Sequence, residues 1–195
     1  MNEQRTILII GSKGQLGLSF RSIELFYPDY KFFYADRRDF DLRDENSIND
    51  FFKKKEFETI INCAAYTLVD EAQSEPDLAD QINHLAVKKI AEIAKKNKSK
   101  FIHISTDYVF NGRSDRPYVE TDKTEPLNVY GKSKLDGDEA IQKILANNLI
   151  IIRTSWIYSE YGNNFVRTIL KLGKELDNLD IINDQIGTPT YAKDL

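Results

Sequence analysis

Thr6-Ile-Leu-Ile-Ile-Gly-Ser-Lys-Gly-Gln-Leu-Gly17 sets the reading of the whole chain. Ile7 to Ile10 is a short, wholly apolar run, the pattern of a parallel strand buried on both faces. Gly11, Gly14 and Gly17 follow, and Leu16, Phe20, Ile23 and Leu25 then recur at helix-like spacing. Strand, glycine turn and helix in that order make a dinucleotide site credible. Gly11 lets the chain turn sharply, Gly14 leaves room for a pyrophosphate, and Gly17 lets the helix pack close to the strand. The helix N-terminus then offers free N–H groups to phosphate. The spacing is G-x-x-G-x-x-G rather than the commoner G-x-G-x-x-G. On these three residues alone, a plain glycine-rich turn is the competing reading.

Composition limits the alternatives. The chain has 195 residues, 41% hydrophobic and 30% charged, enough for a real core in one or two domains. A net charge of −4 gives no electrostatic case for nucleic acid or an anionic membrane as partner. Lys53 to Lys55 and Lys95 to Lys98 read as solvated helix ends. Cys63 is the single cysteine, which allows no internal disulfide and fits a reducing compartment. No signal peptide precedes Ile7 and no apolar run is long enough to cross a bilayer, so a cytoplasmic protein is expected.

Outward from the first helix, Tyr30 to Ala35 reads as a second strand, ending in Asp36-Arg37-Arg38. An acid there suits the adenosine ribose and an arginine suits a 2′-phosphate, so Asp36 and Arg37 leave NAD and NADP both open. A short helix near Asn46 to Lys54 leads to a third strand, Thr59 to Asn62, followed by small residues at Cys63-Ala64-Ala65 that leave room for a ring or sugar. Glu75 to Asn97 is expected to be one long amphipathic helix, burying Leu78, Ile82, Leu85, Ala86, Ile90 and Ile93. His84 reads as a surface residue beside that stripe. Phe101 to Ser105 is a fourth strand, with His103 as a hydrogen-bonded core histidine; two histidines so far apart form no metal pattern, and no metal ligand is assigned. Leu127 to Ala146 is expected as a helix, Leu149 to Arg153 as a fifth strand, Phe165 to Leu176 as a helix and Leu179 to Ile182 as a short strand. The alternation implies an α/β fold, a doubly wound parallel sheet of Rossmann-like type with right-handed crossovers. Ligands then belong at the carboxyl ends of the strands.

Tyr130-Gly-Lys-Ser-Lys134 places a phenol and an ammonium at i and i+4, on one helix face. A free phenol has a pKa near ~10, and a nearby cation lowers it toward the range of useful acid–base chemistry. Tyr-x-x-x-Lys alone is a weak signal. It gains weight from the glycine turn upstream and from Ser105-Thr106, whose hydroxyls end the preceding strand beside it.

In combination, these segments resemble the extended short-chain dehydrogenase/reductases, and among them the dTDP-4-dehydrorhamnose reductase family. The segments that carry the resemblance are 11–17, Asn-Cys-Ala-Ala-Tyr-Thr-Leu-Val-Asp (62–70), Ser-Thr-Asp-Tyr-Val-Phe-Asn-Gly (105–112), Pro-Leu-Asn-Val-Tyr-Gly-Lys-Ser-Lys (126–134), Arg-Thr-Ser-Trp-Ile-Tyr (153–158) and Asp-Gln-Ile-Gly-Thr-Pro-Thr (184–190). The resemblance implies NADPH or NADH as cofactor and a nucleotide-linked 4-keto-6-deoxy sugar as substrate. It implies that Gly14, Gln15 and Leu16 touch the pyrophosphate, that Asp41 and Leu42 lie by adenine, and that Ala64, Ala65 and Tyr66 flank the cofactor ribose. Thr106 then takes the place of the family's usual serine, and Tyr130 donates the proton. Lys134 holds the nicotinamide ribose and tunes Tyr130, while Asp107 and Trp156 contact the sugar nucleotide. Cys63 stands where alanine is expected. Tyr108 after Thr106-Asp107 argues against the related dehydratases, which carry an acidic pair there.

Two rival readings share the fold: a non-catalytic NADP-binding regulatory subunit and a sugar-nucleotide epimerase. Family members continue for roughly another hundred residues, so residues 1–155 read as the dinucleotide-binding domain and 156–195 as the start of a truncated substrate-binding region. In some members, carboxylates in that region complete a magnesium site at a homodimer interface; here magnesium is not assignable.

Overall fold

The computed structural model describes residues 4–195; residues 1–3 of the expected first domain lie outside the described residues. Five strands form one parallel sheet: β1 (Arg5–Ile10), β2 (Tyr30–Ala35), β3 (Thr59–Asn62), β4 (Lys100–Thr106) and β5 (Leu149–Thr154). Their order is β2-β1-β3-β4-β5. Helix α1 (Gln15–Ile23) carries β1 to β2 in one direction, and α2 (Glu45–Phe52) carries β2 back past β1 to β3. Right-handed crossovers therefore put these two helices on opposite faces of the sheet. The order reverses beside β1, so the crevice at its carboxyl end is the place for a ligand.

From β3, the chain runs through α3 (Pro76–Asp80), a π-helical turn at Gln81–Leu85 and α4 (Ala86–Asn97) before entering β4. Helix α5 (Val129–Leu145) joins β4 to β5. Leu8, Ile60 and Phe101 of the sheet pack with Ile48 of α2, Val87 and Ile90 of α4 and Ile141 of α5 in one cluster. Phe101 is wholly buried. Lys98, in the left-handed region at φ 57°, closes α4.

Beyond β5, β6 (Ile157–Tyr158) pairs in parallel with β7 (Thr190–Tyr191), and α6 (Phe165–Glu175) lies between them. No residue of α6 is buried. Among the described residues, no helix is long and apolar enough to cross a membrane.

Three expectations are corrected. The helix expected over 75–97 is interrupted, because the π turn adds a residue at 81–85. The apolar stripe is thereby handed to Ala86 and Val87, and Leu85 is left 41% exposed instead of buried. Leu25 does not continue α1; it lies in a 3₁₀ turn at Glu24–Phe26 and is exposed. No strand forms at 179–182, where Ile181 and Ile182 are exposed and no neighbouring strand offers a ladder.

Candidate active site

The glycine turn is built as its spacing requires. Gly11 has φ +86°, and a Cβ there would lie 2.8 Å from the Ala64 backbone nitrogen. The turn after β1 and the turn after β3 thus touch, as far as a side chain would forbid. Gly17 brings α1 onto the turn: its Cβ would fall 2.5 Å from Ser12 Cα. Gly14 differs. It caps α1, and a Cβ there would meet only Gly11 O, at 3.4 Å. Its outer side is open, a cradle suited to a pyrophosphate at a helix N-terminus. Leu16 is buried. The Gln15 side chain is turned elsewhere: its Nε2 donates to Ile157 O (3.2 Å), and its Oε1 accepts from Ser159 Oγ and Asn164 Nδ2, both at 2.9 Å. Gln15 bolts α1 to the β6–α6 segment, so only its backbone faces the cradle.

At the end of β2, the Asp36 carboxylate accepts from the Arg38 backbone (2.8 Å) and guanidinium, with Lys13 Nζ at 3.3 Å. The Arg38 bonds hold its carboxyl well below the usual range. Arg37 is exposed. Asp41 is likewise held low by Arg43, whose Nη2 lies at 2.5 Å, and Leu42 packs against the core beside it. Ala64 and Ala65 are half-buried at the end of β3. Tyr66 is buried; its hydroxyl donates to Glu75 Oε2 at 2.5 Å, and that bond pushes the phenol up to about 12.

Tyr130 sits one residue inside α5, whose Asn128 cap accepts from Gly131 N–H at 2.7 Å. Gly131 presses against the turn after β4: a Cβ would fall 2.2 Å from Tyr108 O. This close approach sets the buried Tyr130 ring against Tyr108, with centroids 5.6 Å apart, and beside the buried Thr106. Burial pushes the Tyr130 phenol up to about 12; the neighbouring Thr106 hydroxyl opposes that shift. Thr106 Oγ1 also donates to Asp107 Oδ1 (3.2 Å) and accepts from Tyr108 N–H. Asp107 is half-buried, with its carboxyl pushed up by burial.

Lys134 is almost wholly buried, and burial pushes it down to about 8. Its Nζ donates to Ile104 O (2.7 Å) and meets His103 Nε2 at 3.1 Å. The sequence expectation that its charge lowers the Tyr130 phenol is not met here. The nitrogen is committed to β4, and desolvation governs the tyrosine. Trp156 follows β5, whose last residue, Thr154, pairs with Thr106, and has φ +47° with its ring against Gly187.

Several structural supports escaped the sequence reading. Asn83, in the π turn, accepts from Tyr66 N–H (2.9 Å) and donates to Tyr66 O and Ser133 Oγ. It ties the β3 loop to α5. Asp138 is buried on α5 below Lys134, accepting from Ser105 Oγ at 2.8 Å. Polar residues inside apolar helical stripes were the available signal. His84 joins Asp80 and Asp136 in a cluster whose ligand atoms lie within 4.8 Å of one another. Asp136 is already paired with Lys132 at 2.9 Å, and an imidazole does not suit magnesium, which takes oxygen ligands. The cluster does not fit that ion.

The family described as RmlD substrate binding domain matches residues 5–195. The dTDP-4-dehydrorhamnose reductase of Escherichia coli K12 is 42% identical over 189 residues, covering 96% of this chain and 63% of its own length. That of Aggregatibacter actinomycetemcomitans is 44% identical over 192 residues, covering 97% and 64%. The chain thus spans somewhat under two thirds of these relatives. The crystal structure of the Bacillus anthracis dTDP-4-dehydrorhamnose reductase in complex with NADP superposes with a TM-score of 0.93 at 38% identity, covering 98% of this chain and 68% of that one. Matched along nearly its whole length, glycine turn and Tyr-x-x-x-Lys helix included, the chain belongs to the RmlD substrate binding domain family.

Proposed function

We propose that this chain carries the reducing centre of an NAD(P)H-dependent oxidoreductase that converts the 4-keto group of dTDP-4-dehydro-L-rhamnose to the alcohol of dTDP-L-rhamnose. The observation that carries the reading is a buried, protonated phenol, Tyr130, set beside the Thr106 hydroxyl at the carboxyl end of β4. The relatives' names supply the substrate class.

The residues present fit a nicotinamide dinucleotide. Gly14 and the first turn of α1 suit its pyrophosphate, and Asp36 with Lys13 and Arg38 suits either the ribose or a 2′-phosphate. Asp41 and Leu42 would flank adenine, and Ala64, Ala65 and Tyr66 the ribose. When bound, the reduced nicotinamide supplies the hydride. Thr106 would donate a hydrogen bond to the substrate oxygen, and Tyr130 would give up its proton as negative charge forms there. A phenol held protonated by burial is in the state a proton donor needs. Lys134, Asp107 and Trp156 complete the proposed set, the last two toward the sugar nucleotide. The reading includes a division at residue 155, a cytoplasmic location and a homodimer, which light scattering would test.

The test is Tyr130→Phe in the full-length enzyme, assayed by NADPH and NADH oxidation with the dTDP-linked 4-keto sugar. Turnover is expected to fall by roughly 10²–10⁴-fold with cofactor affinity nearly unchanged. Near-parental turnover would refute the mechanism, whereas cofactor binding without any keto-sugar turnover by the parent would favour the regulatory subunit.

A further inference from the structure

Gln15 is the first residue of α1, and its carboxamide is engaged on the side away from the cradle. Asn164 Oδ1 accepts from Arg167 N–H at 3.0 Å and so caps α6, which leaves its Nδ2 as the group that faces Gln15 Oε1. Ser159, which is buried, gives Oε1 a second donor, and Gln15 Nε2 donates to Ile157 O. Each partner has the polarity that its side of the carboxamide requires. The turn at Gly162, in the left-handed region at φ +61°, comes down on the same side chain: a Cβ there would lie 3.4 Å from Gln15 Cγ. Among the described residues, every hydrogen bond between 157–175 and residues 4–153 runs through Gln15. Helix α6 buries none of its residues, so apolar packing does not fix where it starts.

The backbone of the same residue belongs to the cradle. Gly14 caps α1 without a side-chain hydrogen bond, so the first-turn N–H groups, that of Gln15 among them, stay free for an anion. One residue thus serves two places, its backbone the cradle and its side chain the segment after β5. We infer that Gln15 is a positioning residue that couples occupation of the dinucleotide cradle to the order of the 157–167 segment. A pyrophosphate held by the first turn of α1 fixes the Gln15 backbone, and with it the carboxamide that three partners share. Linkage makes the effect reciprocal: whatever a bound dinucleotide adds to this latch, the latch adds to dinucleotide affinity. The segment starts directly after Trp156, so the coupling carries cofactor occupancy toward the side proposed for the sugar nucleotide. It rests on the cofactor part of the reductase reading.

Hydrogen exchange of the full-length protein with and without NADP⁺, read by mass spectrometry beside a calorimetric NADP⁺ titration, tests the coupling. In the parent, NADP⁺ is expected to slow exchange over 157–167. Gln15→Leu keeps the side-chain bulk and loses all three bonds. It should still bind NADP⁺, about 5-fold or more weakly, with exchange over 157–167 no longer responding to the ligand. Asn164→Asp keeps the oxygen that caps α6 but removes the donor to Gln15, and it should lose the response as well. A residue that merely supported α6 would change exchange in the free protein and leave the response to NADP⁺ in place. A segment that does not respond in the parent, or a response kept in either variant, overturns the inference. If Gln15→Leu does not fold, Asn164→Asp decides alone. A parent that binds no dinucleotide refutes the cofactor reading and the coupling together, whereas binding without the exchange response refutes the coupling alone.

Discussion

Helices α5 and α6 each span several turns and carry glycine inside them, two in α5 and one in α6, yet they are held in opposite ways. Eight residues of α5 are buried, among them Tyr130, Ser133, Lys134 and Asp138. None of α6 is, although its apolar residues segregate well, and Phe165 and Leu170 face outward. Amphipathic spacing shows which side of a helix is apolar; it does not show that anything covers that side. Around α5 the covering elements are β4, α4 and the π turn, and they leave no slack. Around α6 and the 176–189 stretch, Val166, Ile169 and Leu172 are only half-buried, and Phe165, Leu170, Leu176, Ile181, Ile182 and Ile186 stay in solvent. Polar chemistry is concentrated where packing is dense, because only there can a lysine or histidine be desolvated.

The contrast is tested most strongly by deleting one large side chain in each region. Phe101→Ala should cost about 3–5 kcal/mol, since a wholly enclosed ring leaves a cavity that the sheet cannot collapse. Ile182→Ala should change stability by no more than about 0.5 kcal/mol, because 71% of that residue is already exposed. Urea unfolding of the 1–195 chain measures both. Comparable losses would mean that the second region is as well packed as the first.

How much of this the sequence disclosed follows from the same contrast. The apolar run of β1, the glycines at 11, 14 and 17 and the Tyr130–Lys134 spacing are local signals, and the structure realises each within a few residues. The π turn was invisible, because an inserted residue alters the phase of an apolar stripe without changing its composition. The Leu179–Ile182 strand failed because β-branched propensity needs a partner strand, and none lies there. The direction of Lys134 was beyond sequence, since i and i+4 fixes a shared helix face but not which neighbour the long side chain reaches. Those neighbours are Ile104 O and His103, both on β4. Gln15 shows the same gap: adjacent to the cradle in sequence, its side chain is tied to Ser159 and Asn164.

The two glycines sharpen the comparison with one substitution of opposite sign. A Cβ at Gly137 would fall 2.2 Å from Asn83 O, a backbone atom of the π turn that cannot move without losing its own bonds. Gly137→Ala should therefore cost about 1–3 kcal/mol by overpacking. Gly173 has nothing within 4 Å of the same position. Gly173→Ala should stabilise by about 0.4–1 kcal/mol, through helix propensity and a less flexible unfolded chain. Thermal unfolding of the two variants reads the sign directly, and a gain at Gly137 would show that α5 and the π turn are less tightly apposed.

The smallest expected effect is a difference in slope with pH. In the folded protein, burial pushes Lys134 down to about 8; in the unfolded chain it titrates near ~10.4. Between those values the unfolded state binds a proton that the folded state does not, so stability rises with pH. One group can contribute at most about 1.4 kcal/mol per pH unit. Cys63, pushed up to about 12 by burial, works in the opposite sense as its unfolded thiol ionises, which flattens the total. The useful quantity is therefore the parent slope minus that of Lys134→Met, taken between pH 8 and 10 by urea unfolding. It should be positive. Equal slopes for the parent and Lys134→Met would mean that the lysine keeps its charge inside the fold. The distinction between the buried helix and the exposed one would then rest on packing alone.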